Sequence, residues 1–502
     1  MTNPLFDSLF GRHSGAATPF LILPDGSILT HDSFLRRAAR FANALTGLGV
    51  VPGDRVAVQV DKSADALALY AACVAAGFVF LPLNPAYTDA EVDYFVGDSG
   101  AALLVAAPRR ESGLARVAAT HGARIETLGT TGDGSLAARA DDAADSFGPV
   151  PRETGDLAAI LYTSGTTGRS KGAMLSQGNL LSNAQVLAQV WRFGPGDVLL
   201  HALPIFHTHG LFVATNVTLI AGGAMILLPK FDVDEVFRLL PRATAMMGVP
   251  TFYTRLTADP RLTRAATAHM RLFVSGSAPL LAETHRAFQA ATGHRILERY
   301  GMTELNMATS NPHDGDRRAG TVGLPLPGVA VEIRDEAGNT LPAGTPGMIE
   351  VRGPNVFQGY WRMPEKTAAE LRPDGWFITG DIGVMSADGY LTIVGRAKDV
   401  IIAGGFNIYP AEVEDVIDAQ PGVLESAVIG LPDADLGEAV VAVVVPRPGA
   451  SIDPAAILAA CAERLARFKC PRRVEIVAEL PRNAMGKVQK AALRTHFADA
   501  AR

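Results

Sequence analysis

Cysteine is scarce, with three in 502 residues. Cys73, Cys461 and Cys470 cannot build a disulfide framework, and no C-x-x-C spacing offers a structural zinc site. A reducing compartment is expected, and the chain reads as cytoplasmic. Positive charge is not in excess either: Lys plus Arg is 45 against 51 Asp plus Glu, a net charge of −6. No broad basic surface is on offer to nucleic acid or to an anionic membrane, and neither is expected as a partner. Like charges cluster only as pairs such as Arg109-Arg110 and Arg472-Arg473. The N-terminus carries Asp7 and no basic region ahead of an apolar core, so neither a signal peptide nor an Arg-rich transit peptide is expected. Long apolar runs are missing as well. The uncharged stretch 66–83 breaks at Gly77 and Pro82, and 210–229 holds Thr215, Asn216, Thr218 and Gly222-Gly223. Each reads as a buried helix followed by a buried strand rather than a membrane span.

The remaining composition is that of a folded chain. Apolar residues make up 48% and charged residues 19%, and the length predicts roughly two to four domains or subdomains. Up to about residue 300, helical and strand patterns alternate. Thr88-x-x-Glu91 is a capping box opening a helix, and 101–106 is a strand. Further on, 224–228 is a strand, 232–240 a helix and 245–249 a strand, after which Thr251 is expected to cap another helix. A strand at 272–274, a helix at 281–292 closed by Gly293, and a strand at 296–300 follow. This rhythm argues for an α/β fold with buried, mostly parallel sheets. After about Gly320 the pattern changes to short strands at 329–334, 348–352 and 390–394, separated by turn signals at 337–339 and 388–389, which predicts an antiparallel, barrel-like module. A small α+β unit of roughly a hundred residues then follows, with helices at 410–419 and 453–465. The break near 395–399 predicts a boundary between residues 1–397 and 398–502. No internal repeat is visible.

The densest chemistry lies at Tyr162-Thr-Ser-Gly-Thr-Thr-Gly-Arg-Ser-Lys171-Gly172, directly after the apolar run 157–161. Glycines let the backbone bend close to a ligand, and hydroxyls, N–H groups and one ammonium surround them. Such a loop suits a polyphosphate, although a bland linker also uses Ser, Thr and Gly. It is not a Walker A loop, because no G-x-x-x-x-G-K-[ST] spacing fits.

This loop resembles the phosphate-binding signature of the adenylate-forming superfamily, which includes acyl-CoA synthetases, nonribosomal adenylation domains and luciferases. The other core motifs of that family occur in order: Tyr300-Gly-Met-Thr-Glu304, Gly347-Met-Ile-Glu-Val-Arg-Gly353, Thr379-Gly-Asp381, Gly395-Arg-Ala-Lys-Asp399 and Pro481-Arg-Asn-Ala-Met-Gly-Lys487. The resemblance covers nearly the whole chain. One departure is Ser170, where most of the family has proline. The resemblance implies ATP and coenzyme A as substrates and Mg²⁺ as cofactor. Its nucleotide site would comprise Thr163, Ser164, Gly165, Thr166, Thr167, Gly168, Lys171, Gly276, Ser277, Glu298, Arg299, Tyr300, Gly301, Met302, Thr303, Asp381 and Arg396. Glu304 is a hard oxygen ligand for Mg²⁺ against the phosphates. Thr303 would touch the α-phosphate, Tyr300 would pack on adenine, and Asp381, supported by Arg396, would accept from the ribose hydroxyls. Lys487 would bridge the attacking carboxylate and the α-phosphate, where an ammonium offsets growing negative charge. Lys398 matches the family's hinge, and Gly404-Gly405 would line the pantetheine channel after the small domain turns. Family lysines matching Lys487 are often acetylated, so a lysine acetyltransferase is an implied partner.

The acyl pocket decides the substrate. The resemblance places its lining in the segment after Pro204-Ile-Phe-His207, in the helix after Gly248-Val-Pro250, and in Ser275-Gly-Ser277. This chain offers His209, Arg255 and Ser277 there, with His207 as a gate. With Thr251 as cap, Arg255 would lie one turn in and near the pocket. A guanidinium facing an otherwise apolar cavity is costly unless an anion pairs with it. A second substrate carboxylate would supply that anion, held bidentately; a structural salt bridge on the helix surface is the alternative. The text His207-Thr-His209-Gly, Gly248-Val-Pro-Thr-Phe-Tyr-Thr-Arg255 and Arg299-Tyr-Gly-Met-Thr-Glu304 resembles malonyl-CoA synthetases, in which residues matching His209, Arg255 and Ser277 bind the distal carboxylate. Leu305 departs from a threonine common there, which keeps methylmalonate or another short diacid open. His207 and His209, two apart without an acidic partner, are poor zinc ligands. The expected activity is ATP-dependent ligation of malonate to coenzyme A through malonyl-AMP. The alternatives are another short acid, an adenylation domain feeding a carrier protein (no carrier domain follows Arg502), and a non-catalytic nucleotide-binding scaffold.

Overall fold

A computed structural model of the chain describes residues 2–163, 170–403, 406–433, 436–483 and 486–499. Among them, the strands form four sheets. In the six-stranded sheet, Arg124–Thr127, Leu103–Ala106, Arg55–Gln59, Val79–Pro82 and Leu157–Thr163 run parallel, and an antiparallel partner, Lys171–Ser176, closes one edge. The nine-stranded sheet has a parallel centre. There β1 (Val198–His201) pairs with Ala224–Leu227 on one side and with β2 (Ala245–Gly248) on the other. Beyond β2 lie β3 (Leu272–Ser275) and β4 (Leu297–Met302). Strands β2 and β3 are buried along their whole length, as befits parallel strands covered on both faces. One continuous apolar core, running from Leu5 to Leu391, binds the two large sheets together.

The module expected to be barrel-like is a four-stranded antiparallel sheet of Ala330–Arg334, Gly347–Arg352, β5 (Phe377–Met385) and β6 (Leu391–Arg396). A bridge from Gly323 to Leu391 ties it to the end of the nine-stranded sheet. Strand β5 is not legible in the sequence, because Gly380, Asp381 and Gly383 interrupt its apolar alternation. A one-turn helix, Ala397–Asp399, leads from β6 into a five-stranded sheet that begins at Ile401. That sheet has its own apolar cores. One gathers Ile417, Val440, Ala442 and Val444, and the other gathers Ile429, Val441, Val443 and Phe497. Even and odd positions of one strand thus serve opposite faces of the sheet.

The local signals explain most element ends. Thr88 and Glu91 form the expected capping box, with the Thr88 N–H donating to Glu91 Oε2 at 2.7 Å. Asp232 caps its helix through the Glu235 N–H, and Gly293 ends another in the left-handed region. Thr251 is a correction. The helix α1 (Pro250–Thr257) starts two residues earlier, with Pro250 in its first position and Val249 as an N-cap without a side-chain bond. The stretch from 209 to 221 is helical as expected, but its first part, His209–Thr215, is π-helix. Among the described residues no helix is long and apolar enough to cross a membrane.

Candidate active site

The site lies where β1 to β4 end, at the carboxyl edge of the parallel strands, the usual ligand edge of such sheets. Thr163 and Lys171, which flank the expected phosphate loop, face each other across two antiparallel strands. Ser164, Gly165, Thr166, Thr167 and Gly168 lie outside the described residues. Ser170, the departure from the family pattern, is anchored by the Tyr94 hydroxyl, which donates to its carbonyl at 2.7 Å.

A second hairpin turns from β4 into Asn306–Ser310 and carries Thr303 and Glu304. Gly301 permits it: a Cβ there would stand 1.8 Å from the Asn306 carbonyl oxygen. Met302 and Thr303 are half-buried and Glu304 is buried. Glu304 Oε1 and Glu370 Oε2 both face the Tyr360 hydroxyl, at 3.0 and 2.5 Å. Lys171 Nζ donates to the same hydroxyl at 3.1 Å and pairs with Glu370 at 3.2 Å. A phenol has one proton for two carboxylates. Burial raises the Glu304 pKa, while Tyr360 and Lys171 hold it back. Tyr360 and Glu370 carry no signal in the sequence, because neither lies in a motif whose chemistry is visible without the fold. Glu304 is a hard oxygen donor that suits a divalent cation, and a single carboxylate leaves most of that ion's coordination to the ligand bringing it.

Asp381 on β5 is paired in register with Arg396 on β6. Its Oδ1 binds Arg396 Nε at 2.7 Å, and its Oδ2 accepts from the Tyr300 hydroxyl at 2.5 Å. Burial raises its pKa, and the Arg396 guanidinium and Tyr300 oppose that rise. Glu298, expected at the nucleotide, is buried and has its carboxylate on His285 Nδ1 at 2.9 Å. That carboxylate is engaged inside the fold.

Lys487 comes from the far end of the chain. Its N–H donates to Asn483 Oδ1 at 3.0 Å, and a Cβ on the preceding Gly486 would lie 3.8 Å from Thr251 on α1. Burial and the Arg396 guanidinium lower its pKa, while Asp381 and Glu304 raise it, so its ammonium stands among these groups. Lys398 is exposed in the one-turn helix between the two sheets, and its neighbour Asp399 is held by Arg494 at 2.7 Å. Gly404 and Gly405 lie outside the described residues.

A further cluster at this edge, where the resemblance places the acyl pocket, is polar. His209 opens the π-helix, and its Nδ1 and the Ser277 hydroxyl are 3.1 Å apart. Ser277 is held at φ +73°, a conformation that costs energy for a residue with a Cβ and recurs at ligand sites. Arg299, from β4, lies against Gly276, where a Cβ would fall 2.2 Å from the guanidinium carbon. Arg299 is 4% exposed, and its Nε and Nη2 have no hydrogen-bond partner. His209 Nε2 and Ser275 Oγ are also without one. Burial pulls the Arg299 pKa down to about 9, and burial with the Lys487 and Arg299 cations pulls His207 down to about 3. Burial and the Arg299 cation also take His209 well below the ordinary histidine value, so both imidazoles are neutral at pH 7.

The Arg255 side chain is exposed, because Tyr253 and Leu256 supply the buried face of α1. Two residues beyond Tyr253, at about 100° each, Arg255 points to the opposite side. The argument from an uncompensated buried guanidinium therefore does not apply to Arg255, and no ion pair holds it among the described residues. It applies to Arg299 instead, which the motif resemblance assigns to the nucleotide.

Comparison with known proteins accords with this geometry. Residues 12–361 match the AMP-binding enzyme family, and 412–487 match the AMP-binding enzyme C-terminal domain. A feruloyl-CoA synthase of Amycolatopsis sp is 39% identical over 94% of each chain. A malonate–CoA ligase of Arabidopsis thaliana is 33% identical over 98% of this chain and 88% of its own length. The crystal structure of ATP-bound MatB from Rhodopseudomonas palustris superposes over 100% of both chains with a TM-score of 0.98 at 56% identity. The chain belongs to the AMP-binding enzyme family and, within it, to the acid–CoA ligases that work through an acyl-adenylate.

Proposed function

We propose that this ligase activates malonate. The observation that carries the reading is the polar acyl pocket, in which neutral His209, bonded to Ser277, has no partner for its Nε2 and the buried Ser275 hydroxyl has none either. A long aliphatic or aromatic tail would leave these groups buried without partners, at about 1–3 kcal/mol each. A second carboxylate on a short acid would satisfy them. The relationship to a malonate–CoA ligase supports the same reading.

In the first half-reaction, a malonate oxygen attacks the α-phosphorus of Mg·ATP and pyrophosphate leaves. In the second, the coenzyme A thiol attacks the acyl carbon and AMP leaves. The hairpin loop, including Ser164 to Gly168, and Lys171 would hold the phosphates. Thr303 would contact the α-phosphate, and Glu304 would hold the magnesium that enters with them. Asp381 and Arg396 would take the ribose, with Tyr300 against adenine. Lys487 would draw the attacking carboxylate and the α-phosphate together, contributing where negative charge grows. We assign residues 1–397 to the unit that binds the acid and nucleotide, and 398–502 to a unit that turns about Lys398. After the turn, Lys487 would leave the site, Gly404-Gly405 would line the thiol's path, and His207 would gate it. Acetylation of Lys487 would block the first half-reaction and would require the turned state for access.

The test is a pyrophosphate-release screen over acetate, malonate, methylmalonate, succinate, ferulate and octanoate, with acyl-CoA products identified by mass. Malonate is expected to give the highest kcat/KM. A faster turnover of ferulate or octanoate would refute the malonate assignment, and adenylate without any acyl-CoA would point to a carrier-protein acceptor.

A further inference from the structure

The carboxylate of Glu370 stands against Lys171, the lysine that would hold phosphate. Glu370 ends the helix α2 (Pro364–Glu370), where a carboxylate meets the negative end of the helix dipole. Helix stability therefore does not account for its place. The fold fixes it there through the backbone. Ala173 on the strand that begins at Lys171 bridges to Tyr360, and the Trp361 N–H donates to the Gly172 carbonyl at 2.8 Å. The Tyr360 N–H donates in turn to Thr367 Oγ1 at 2.9 Å, about one turn before Glu370 on α2. Lys171, Tyr360 and Glu370 are thus held side by side by a strand, a bridge and a helix. Lys171 Nζ lies 3.2 Å from Glu370 Oε2 and 3.4 Å from its Oε1, and 4.2 Å from the centre of the Tyr360 ring. Lys366 pairs with the same carboxylate at 2.7 Å. Burial alone would raise the Glu370 pKa, but Lys366, Tyr360 and Lys171 outweigh it and the pKa is lowered. Glu370 is therefore an anion at neutral pH. Among the described residues, Lys171 forms its ion pair with Glu370 and none with Glu304.

We propose that Glu370 is a positioning residue that competes with polyphosphate for Lys171, and so limits how tightly the site holds ATP and the pyrophosphate released from it. The inference rests on the reading of Lys171 as a phosphate contact. An ammonium has three N–H donors. With Glu370 and Tyr360 on them, a phosphate either displaces the carboxylate or shares the cation with it. In both cases part of the cation's attraction for phosphate is offset. The Tyr360 hydroxyl can keep Glu370 as its partner when Lys171 turns to phosphate, since the two are 2.5 Å apart. Lys366 then remains to balance the carboxylate. The consequence lies in the first half-reaction. Pyrophosphate held beside the acyl-adenylate re-forms ATP and the free acid, so a counter-charge that loosens it favours the forward direction.

The experiment titrates magnesium pyrophosphate and Mg·ATP, without acid, into wild type, Glu370→Gln, Lys171→Met and the double variant, and follows binding by calorimetry. KM for ATP and kcat for adenylation are read alongside. Glu370→Gln is expected to tighten both ligands by about 5- to 20-fold, between the worth of an exposed ion pair and that of a hydrogen bond to a charged group. KM for ATP should fall with it while kcat does not rise, a split that loss of a merely structural contact would not produce. Lys171→Met should weaken both ligands, and Glu370→Gln should add less than about twofold in that background, because its effect passes through the lysine. If Glu370→Gln does not fold, Glu370→Asp carries the test: its carboxylate is drawn back from Lys171, and binding should shift in the same direction. Unchanged or weaker binding in a folded Glu370 variant overturns the proposal, and so does a gain that persists in full without Lys171. A Lys171→Met protein that binds both ligands as wild type does would overturn the reading of Lys171 itself, and this inference with it.

Discussion

Asp381→Asn tests the proposed ribose contact in isolation. The substitution preserves shape and removes one charge. In the unperturbed protein, both carboxylate oxygens are occupied, by Arg396 Nε at 2.7 Å and by the Tyr300 hydroxyl at 2.5 Å. Asparagine can keep its oxygen on Arg396 and donate its NH₂ to the Tyr300 oxygen, so both contacts survive in form but lose the charge that strengthens them. A hydrogen bond to a charged group contributes about 1.5–3 kcal/mol. The Arg396 side chain is 37% exposed, so solvent screens its share and places the loss toward the lower end. If the ribose hydroxyls use the same carboxylate, one charged bond to the nucleotide is lost as well. The combined effect on kcat/KM for ATP is then about 3 kcal/mol, or roughly 150-fold. The assay is acid-dependent ATP–pyrophosphate exchange, run with ATP, 2′-deoxy-ATP and 3′-deoxy-ATP on both proteins, beside thermal melting. Wild type should lose activity with the deoxy nucleotides, and Asp381→Asn should lose little more, because the partner is already gone. Equal losses in both proteins would show that Asp381 does not touch the ribose and acts only through Arg396 and Tyr300.

Three further outcomes follow from the same geometry. Lys487→Ala should lower adenylation by at least about 10²–10³-fold while sparing much of the thioester step from pre-formed acyl-AMP; equal loss in separately assayed half-reactions would contradict the two-state account. Lys398→Pro should do the reverse, because proline fixes φ where the turn needs freedom; single-turnover thioester formation at the wild-type rate would remove Lys398 from the hinge. Asp418, half-buried near Glu414, Asp415 and Glu425, has its pKa raised to about 8, chiefly by burial. The folded protein then holds a proton that the unfolded chain releases near pH ~4, so this contribution to stability is present below about pH 4 and is lost as pH rises toward 8. Melting temperatures of Asp418→Asn should match wild type at low pH and exceed it at about pH 8; a difference that does not vary with pH would count against the argument.

The contiguous features were determined by sequence alone. Capping boxes, glycine helix ends and the strand–helix rhythm act over a few residues, so the elements around Thr88, Asp232 and Gly293 fall where local chemistry puts them. The motif text around Lys171, Glu304, Asp381 and Lys487 was legible for the same reason, since each run of residues carries its chemistry without reference to the others. Strand β5 was hidden because a carboxylate and two glycines replace the apolar residues that mark a strand. The exposure of Arg255 was not legible because the sequence shows that it lies in a helix but not which face that helix buries, and Tyr253 and Leu256 decide the face by packing. Tertiary structure alone decided the polar cluster around Arg299. His209, Ser275, Gly276, Ser277 and Arg299 come from separate elements and meet because parallel strands end at one edge. Whether a buried guanidinium has a carboxylate depends on neighbours across that edge, and no local pattern records it. The same holds for the chain from Lys171 through Tyr360 to Glu304, which joins the hairpins of two sheets by hydrogen bonds between residues far apart in the sequence.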